Sequence, residues 1–494
     1  MHATFPFRVH RMPIAPLSLV SPPLFAAADI REIDRLWASS HPDSPLMERA
    51  GAAAADLAGT LASESGEPIL ILAGPGNNGG DALVAARHLL AQGARVAVVS
   101  RADPARLPPD AARAWTAWRE SGGTILADLP ASRRFSLVID GLFGVGLKRD
   151  VIGEDARWIG QANDLPCPRL ALDVPSGLDS DSGQVRGCAL RADHTLTFLG
   201  LKPGLLTADG PDYAGEVHLD TLGIDPATLP ATPGFALTKL ERRHRPPTRA
   251  RNSHKGLYGH VGIIGGDTGM VGASLIAGRA ALQAGAGSVT LGVLDPRIAV
   301  DFVEPQLMFS MPGHLASTRL SVLAVGPGLG QSTQAHALLE AALEAPCPLV
   351  LDADALTLLA GDPALARKAA RRSAPSLLTP HPGEAARLLG TSVAVIQATR
   401  IETARTLSRT YRAEVALKGA GTVIARPDGR YAINTTGGPW LAQAGSGDRL
   451  TGMVAALLGQ GMAATEALEA AVWLHGHHAQ HLAFGSPASQ AGRD

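Results

Sequence analysis

The run from Pro68 to Ala91 limits what this chain can fold into more than any other stretch. Pro68-Ile69-Leu70-Ile71-Leu72-Ala73 is an unbroken apolar run of strand length, and it passes straight into Gly74-Pro75-Gly76-Asn77-Asn78-Gly79-Gly80-Asp81. A helical segment, residues 82–91, follows. Buried parallel strands read as continuous apolar runs, and the order strand, Gly-rich turn, helix opens a Rossmann-like βαβ unit. Further strand-like runs follow at residues 95–100, 136–139 and 169–172, the last two ending in Asp140 and Asp173. In open α/β sheets ligands lie beyond the carboxyl ends of the strands. Asn77, Asn78, Asp81, Asp140 and Asp173 are therefore expected to face one crevice. Ahead of this unit, residues 29–62 read as helical, Ala-rich and amphipathic.

The same logic returns later in the chain. Strand-like runs at 259–264, 322–325, 349–351, 377–379 and 415–417 end in Gly265-Gly266, Gly326-Pro327-Gly328-Leu329-Gly330, Asp352-Ala353-Asp354, Pro380-His381-Pro382-Gly383-Glu384 and Lys418-Gly419-Ala420-Gly421-Thr422. Residues 270–284 read as a small-residue helix that packs closely. A second α/β unit with its own crevice is expected. Between the two lies a Pro-, Thr- and Arg-rich stretch, residues 223–255, holding Arg242-Arg243-His244-Arg245-Pro246-Pro247. It reads as an inter-domain linker with a solvated basic run, against the alternative of a nucleic-acid patch. The expected division is an N-terminal extension at 1–24, a first domain at 25–235, a linker at 236–252 and a second domain at 253–494.

With 494 residues, 46% of them hydrophobic, two sizeable cores are within reach. A formal net charge of −1 argues against a general nucleic-acid binder. The three cysteines, Cys167, Cys188 and Cys347, lack metal-ligand spacing and read as small buried residues in a reducing cytoplasm. No apolar run is long enough for a membrane span, and residues 1–24 carry no convincing secretory signal.

Chemistry concentrates at the turns. Two amides and an acid at 77–81 offer oxygens to a hard cation or a sugar hydroxyl. Residues 141–149 form a Gly-rich loop ending in Lys148 and Arg149, a composition that fits a pyrophosphate clamp as well as an ordinary surface loop. Asp173 reads as a proton-transfer group or as an Asx-turn acid before Pro175. Lys418–Thr422 reads as a nucleotide loop or a plain hairpin turn. Residues 444–448, Ala-Gly-Ser-Gly-Asp, lead into a helix whose N-terminal amides would converge on an anion. Asp448 at that edge is placed to take the proton of a hydroxyl attacking a phosphoryl group, unless the turn is only a helix start. His475, His477, His478 and His481 suggest a metal cluster or, more simply, one helix face.

Taken together, Gly-Asn-Asn-Gly-Gly-Asp, Asp-Gly-Leu-Phe-Gly-Val-Gly-Leu and Asp-Val-Pro-Ser-Gly-Leu resemble the NAD(P)H-hydrate epimerase family over residues 25–225. The resemblance implies substrate contacts from Asn77, Asn78, Gly79, Gly80, Asp81, Gly144, Val145, Gly146, Leu147, Lys148, Arg149, Asp150 and Asp173. It also implies K+ held by Asn78, Asp140 and Ser176.

The motifs from His254 onward, including Gly-Pro-Gly-Leu-Gly, Leu-Asp-Ala-Asp-Ala-Leu, Thr-Pro-His-Pro-Gly-Glu, Lys-Gly-Ala-Gly-Thr and Gly-Ser-Gly-Asp, resemble the ADP-dependent NAD(P)H-hydrate dehydratase family over residues 240–485. That family is similar in fold to the ribokinase superfamily. The likeness implies nucleotide contacts from Lys418, Gly419, Ala420, Gly421, Thr422 and Gly447. It implies substrate contacts from Ala273, Gly328 or Gly330, His381 and Asp448, with ADP as co-substrate and Mg2+. The fused order implies a bifunctional enzyme of nicotinamide-nucleotide repair, cytoplasmic and homo-oligomeric. Its partners would be NAD(P)H hydrates and adenine nucleotide, with no nucleic acid and no membrane. Arg449, beside Asp448, departs from the small or apolar residue usual there. Two rival readings are a ribokinase-like kinase of a small sugar or pyrimidine alcohol, and a non-catalytic dinucleotide sensor in the first half.

Overall fold

The computed structural model describes residues 21–483, apart from 42, 64 and 131–133. Most of the expected N-terminal extension, and the side chain of His481, lie outside the described residues. The chain divides into two compact units, one running from Pro23 to Thr232 and one from Pro233 onward. Each is a layered α/β body.

The first unit holds strands β1 (Ile69–Ala73), β2 (Val96–Val99), β3 (Ile125–Leu126), β4 (Leu137–Gly141), β5 (Arg169–Leu172), β6 (His194–Phe198) and β7 (Glu216–Asp220). Their order is β3-β2-β1-β4-β5-β6-β7, and every pairing is parallel. Strand side chains alternate between faces. Ile69, Ile71 and Ala73 join the core beneath helices α1 (Ala27–Ser40), α2 (Leu46–Leu61) and α3 (Asn77–Ala91), while Leu70 and Leu72 join Trp158 and Ile159 of α4 (Gly153–Asn163) on the other face. The chain runs outward from β1 to β3 and returns to β4 beside β1, so the direction of winding reverses between β1 and β4. Ligands favour such a switch point. The helical stretch expected at 29–62 is two helices, because the chain turns at residues 43–44. Pro45, which has no N–H to donate, stands at the N-terminus of α2.

The second unit contains β8 (Gly234–Leu237), β9 (His260–Gly265), β10 (Ser288–Val293), β11 (Met308–Phe309), β12 (Val322–Val325), β13 (Leu349–Leu351), β14 (Ser376–Leu378), β15 (Glu414–Leu417), β16 (Val423–Ala425) and β17 (Tyr431–Asn434). The order is β8-β17-β16-β15-β14-β13-β12-β9-β10-β11. Pairings are parallel except at β15–β16 and β16–β17. Helices α5 (Val271–Gln283), α6 (Pro382–Leu389), α7 (Arg400–Tyr411), α8 (Ser446–Gly459) and α9 (Ala464–Ala483) flank the sheet. Winding reverses here between β9 and β12.

The expected linker at 236–252 begins inside β8, which pairs with β17. The basic run is not wholly solvated either. Arg243 and His244 reach the buried carboxylate of Glu469 at 3.0 and 2.9 Å. A buried charge needs such partners, and this one draws in residues that composition alone assigns to solvent. The three cysteines are half-buried and free, rather than fully buried. Among the described residues, no helix is long and apolar enough to cross a membrane.

Candidate active sites

In the first unit a cleft of about 1070 Å³ opens beyond the carboxyl ends of β1 and β4, at the upper end of the size usual for ligand pockets. Asn77, Asn78 and Asp81, on the first turn and a half of α3, line it together with Gly144–Arg149 and Asp173. These segments converge: a Cβ on Gly144 would stand 3.3 Å from the Asn78 side chain and 3.4 Å from the Asp173 carboxylate. Arg31, Arg35, Arg113, Lys148 and Arg149 supply positive charge around the cleft. Gly79, Gly80 and Asp150 are not brought to it. A Cβ at Gly79 would strike the carbonyl of Gly74, and one at Gly80 the sulfur of Met47, so both glycines serve close packing of α3. Asp150 is exposed.

Asp140 is fully buried at the end of β4. It accepts the Ser176 N–H at 2.8 Å, the Ser176 hydroxyl at 2.6 Å and the Leu142 N–H at 3.1 Å. Burial nonetheless pushes its pKa up to about 6. The neighbouring Asn78 carries buried amide N and O atoms with no hydrogen-bond partner. Such orphans are rare in folded proteins and point to a missing ligand or ion.

Asp173 adopts φ 66°, a left-handed backbone uncommon for a residue with a side chain. Its carboxylate meets the ammonium of Lys202 at 2.5 Å. Lys202 is wholly buried and also donates to Thr197 Oγ1 at 2.9 Å and the Phe198 carbonyl at 2.7 Å. Two further acids gather there. Burial and then Asp173 raise the pKa of Asp34, and burial followed by Asp173 and Asp34 puts Asp81 well above the usual carboxylate range. The sequence reading missed Asp34 and Lys202. Neither belongs to a motif, and only the folding of α1 over the cleft and the pairing of β6 with β5 bring them in.

In the second unit the site forms where α8 begins. Gly445, at φ 82°, makes the left-handed turn that no β-branched residue would accept, and Ser446, Gly447 and Asp448 fill the first helical turn. Lys418, at the end of β15, reaches over this turn. A Cβ on Gly447 would lie 3.2 Å from the Lys418 ammonium and 3.8 Å from Asp352 Oδ2. Lys418 pairs with Asp352 Oδ1 at 2.7 Å, and Asp352 Oδ2 accepts from Thr451 of α8 at 2.7 Å. Burial opposes ionisation of Asp352, but Lys418 and Thr451 outweigh it and lower the pKa. For Lys418, burial pulls the pKa down while Asp352 and Glu384 more than restore it, and the net shift is upward. Asp448 is pushed up to about 6, first by burial and then by Asp352, with Lys418 opposing. Burial lifts Glu384 to about 7.

The remaining segments close around this pair. His381 caps α6, its Nδ1 accepting the Gly383 N–H at 2.9 Å, which leaves Nε2 facing Glu384 at 3.2 Å. Asp354 accepts the Gly330 N–H at 2.8 Å. A Cβ on Gly328 would come within 3.2 Å of Ala273, so the 326–330 turn and the start of α5 are in contact. Gln331, Asp354, Thr357, His381, Glu384 and Arg387 line a cavity of about 520 Å³. Lys418–Thr422 is the connection between antiparallel β15 and β16, so it is a hairpin turn by topology, open on one side. Arg400, buried in α7, holds it from beneath through the carbonyls of Leu417, Lys418 and Gly421 at 3.3 to 3.4 Å. That burial lowers its pKa to about 10.

Among the described residues His475 joins no cluster of metal-ligating side chains. Its Nε2 stands 3.3 Å from Ser446 Oγ, and burial, then Arg449 and Lys418, drive its pKa to about 4. His477 stacks on Trp473 at 4.5 Å. Arg449 is exposed.

Residues 43–204 match the family described as YjeF-related protein N-terminus, and residues 261–488 match the family described as NAD(P)H-hydrate dehydratase. The chain is 40% identical over 492 residues to the bifunctional NAD(P)H-hydrate repair enzyme Nnr of Moorella thermoacetica, covering 92% of this chain and 91% of that protein. It is 39% identical over 452 residues to the protein of the same name from Escherichia coli K12, covering 89% and 86%. A solved structure of the ADP/ATP-dependent NAD(P)H-hydrate dehydratase from Bacillus subtilis, co-crystallized with ATP/Mg2+, shares 34% identity. It covers 50% of this chain and 88% of its own length, with a TM-score of 0.44.

Proposed function

The chain belongs to the family of bifunctional NAD(P)H-hydrate repair enzymes, and we propose that its first unit carries the epimerase site and its second the dehydratase site. Water added across the C5–C6 bond of a reduced nicotinamide leaves a hydroxyl at C6, next to the ring nitrogen. The first unit interconverts the R and S forms at C6, and the second returns the S form to NAD(P)H at the expense of ADP, releasing AMP and phosphate. The observation that carries this reading is the Lys418 ammonium, held by Asp352 at 2.7 Å and standing 3.2 Å from where a Cβ on Gly447 would lie, over the glycine turn that bears Asp448.

In the second unit Asp448 accepts the C6 hydroxyl proton as that oxygen attacks the terminal phosphorus of the nucleotide. The bond to the nucleotide's bridging oxygen breaks and AMP leaves, or ADP when ATP is used. Backbone amides at 445–447 and the Lys418 ammonium neutralise charge on the transferring group. The lone pair of the ring nitrogen then expels phosphate from C6, and loss of a C5 proton restores the double bond. Residues 418–422 and Gly447 hold the nucleotide; Ala273, Gly328, Gly330 and His381 face the dinucleotide. Mg2+, arriving with the nucleotide, would supply further positive charge to its phosphates. The decisive experiment incubates the protein with hydrated NADH and ADP or ATP and follows recovery of reduced cofactor. A stable phosphorylated product in place of free phosphate would favour a kinase.

A carboxylate must be ionised to act as a base. With Asp448 at about 6, the protonated form persists to higher pH than for an ordinary Asp. The kcat/KM for dehydration, which reports the free enzyme, should therefore reach half its plateau near pH 6 and fall about tenfold per unit below it. A rate that stays flat from pH 7 to 5 would remove Asp448 from this role.

In the first unit Asp173 relays the C6 hydroxyl proton to the ring nitrogen as the C6–N bond opens to an aldehyde, and back as the ring recloses on either face, while Asn77, Asn78, Asp81 and the 144–149 loop hold the dinucleotide. The unpartnered Asn78 amide, with Asp140 and Ser176 beside it, fits a K+ ion, which would fix the α3 turn and the 141–149 loop by its charge. Dialysing the full chain into tetramethylammonium salts should slow epimer exchange about tenfold, the scale of a lost metal contact. Returning K+ should restore it in wild type but not in Asp140→Asn. Equal exchange rates with and without K+ would exclude the ion. We further propose a cytoplasmic homo-oligomer, with each unit acting as a separate domain, since reduced nicotinamide cofactors are used there.

A further inference from the structure

At the far end of β6 from Thr197, a second cluster has no part in the chemistry above. In the parallel pairing of β6 with β7, His194 lies opposite Glu216, and His218 lies two residues along β7 on the same face as Glu216. His194 Nδ1 and His218 Nε2 are 3.1 Å apart. Glu216 presents one oxygen 3.8 Å from His194 Nδ1 and the other 4.0 Å from His218 Nε2.

The geometry points to a binding site for a divalent transition-metal ion of the zinc class, held by His194 Nδ1, His218 Nε2 and Glu216. Metal–donor bonds of about 2.0–2.2 Å in tetrahedral array place donors about 3.3 Å apart. The two imidazole nitrogens already stand near that spacing, and the carboxylate needs only a small side-chain rotation. Without an ion, the carboxylate oxygens stop beyond hydrogen-bond reach of both rings. Two imidazoles and one carboxylate suit Zn2+ and its late first-row neighbours, whereas K+ and Mg2+ favour all-oxygen sites. His218 is buried, but the side chains of His194 and Glu216 are 22% and 20% exposed, which leaves an entry path and room for a water as fourth ligand. The ion would clip β6 to the last strand of this sheet, away from the cleft.

The test uses the full-length protein, stripped with a chelator and held in excess K+ and Mg2+ so that oxygen-rich sites stay filled. Titrated Co2+ should bind as one equivalent with the visible absorption of a four-coordinate nitrogen-containing site, and Zn2+ should displace it. Glu216→Gln and His194→Gln, both at partly exposed positions, should each weaken Co2+ binding at least tenfold with the far-UV circular dichroism unchanged. Absence of the Co2+ absorption in wild type, or wild-type affinity in both variants, would overturn the proposal. Should His194→Gln fail to fold, Glu216→Gln alone decides by the same criterion.

Discussion

Replacing Asp448 with Asn is expected to lower dehydration by about 10²–10⁴-fold, the range that a positioned general base contributes, while nucleotide still binds. Asn fills the same volume on the first turn of α8. The amide cannot accept the C6 hydroxyl proton, so the attacking oxygen stays protonated and phosphoryl transfer stalls. Lys418 remains paired with Asp352 at 2.7 Å, so the charge that receives the nucleotide is intact. Equilibrium binding of ADP should accordingly stay within a few-fold of wild type, and epimer exchange should be unaltered. Single-turnover release of phosphate measures the chemical step directly. Near wild-type turnover in Asp448→Asn would reassign the base, and Glu384 would be the next carboxylate to test.

The second large effect falls on the first unit. Asp173→Asn should reduce R-to-S exchange by about 10²–10⁴-fold and leave dehydration of the S form unchanged, which an assay with the purified S epimer separates. Asn is the substitution of choice because it tolerates the left-handed φ of 66° at this position. It also keeps an oxygen for the wholly buried Lys202 ammonium, which now meets Asp173 at 2.5 Å on the wall of the cleft. Asp173→Ala removes that oxygen. Breaking a buried pair by deleting one partner typically costs about 3–5 kcal/mol, so the Ala variant mixes lost stability with lost chemistry. Exchange that persists in a folded Asn variant would move proton handling to Asp81 or Asp34.

Much of the architecture is legible in the amino-acid order because both sheets are largely parallel. Strands covered on both faces read as unbroken apolar runs, and the polar residue that ends each run marks the ligand end of the sheet. Asp140, Asp173, Asp352 and Lys418 are all found this way. Legibility fails where a strand carries mixed residues. His194–Phe198, Glu216–Asp220 and Tyr431–Asn434 alternate apolar with polar residues or lie outside any motif, and none is anticipated. It fails again for side chains that act from beneath. Lys202 follows a short apolar stretch and Arg400 opens an ordinary amphipathic helix; their roles exist only once distant carbonyls and carboxylates surround them. Glu384 lies inside a recognised motif, yet its raised pKa depends on burial, which no local pattern encodes. Packing partners are equally invisible in the amino-acid order. Gly79 and Gly80 sit in the right turn but face Gly74 and Met47, since a helix shows only one side to a cleft.

The carboxylate of Asp352 has a consequence for how the second unit becomes competent. It grips Lys418 from 66 positions away in the chain and Thr451 from 99 positions away. Contacts of such sequence separation form late, after the loop-closure entropy of the intervening chain has been overcome. A nascent or partly unfolded second unit can therefore carry intact local turns and still lack an aligned base, so its activity should switch on as a single cooperative event and not residue by residue.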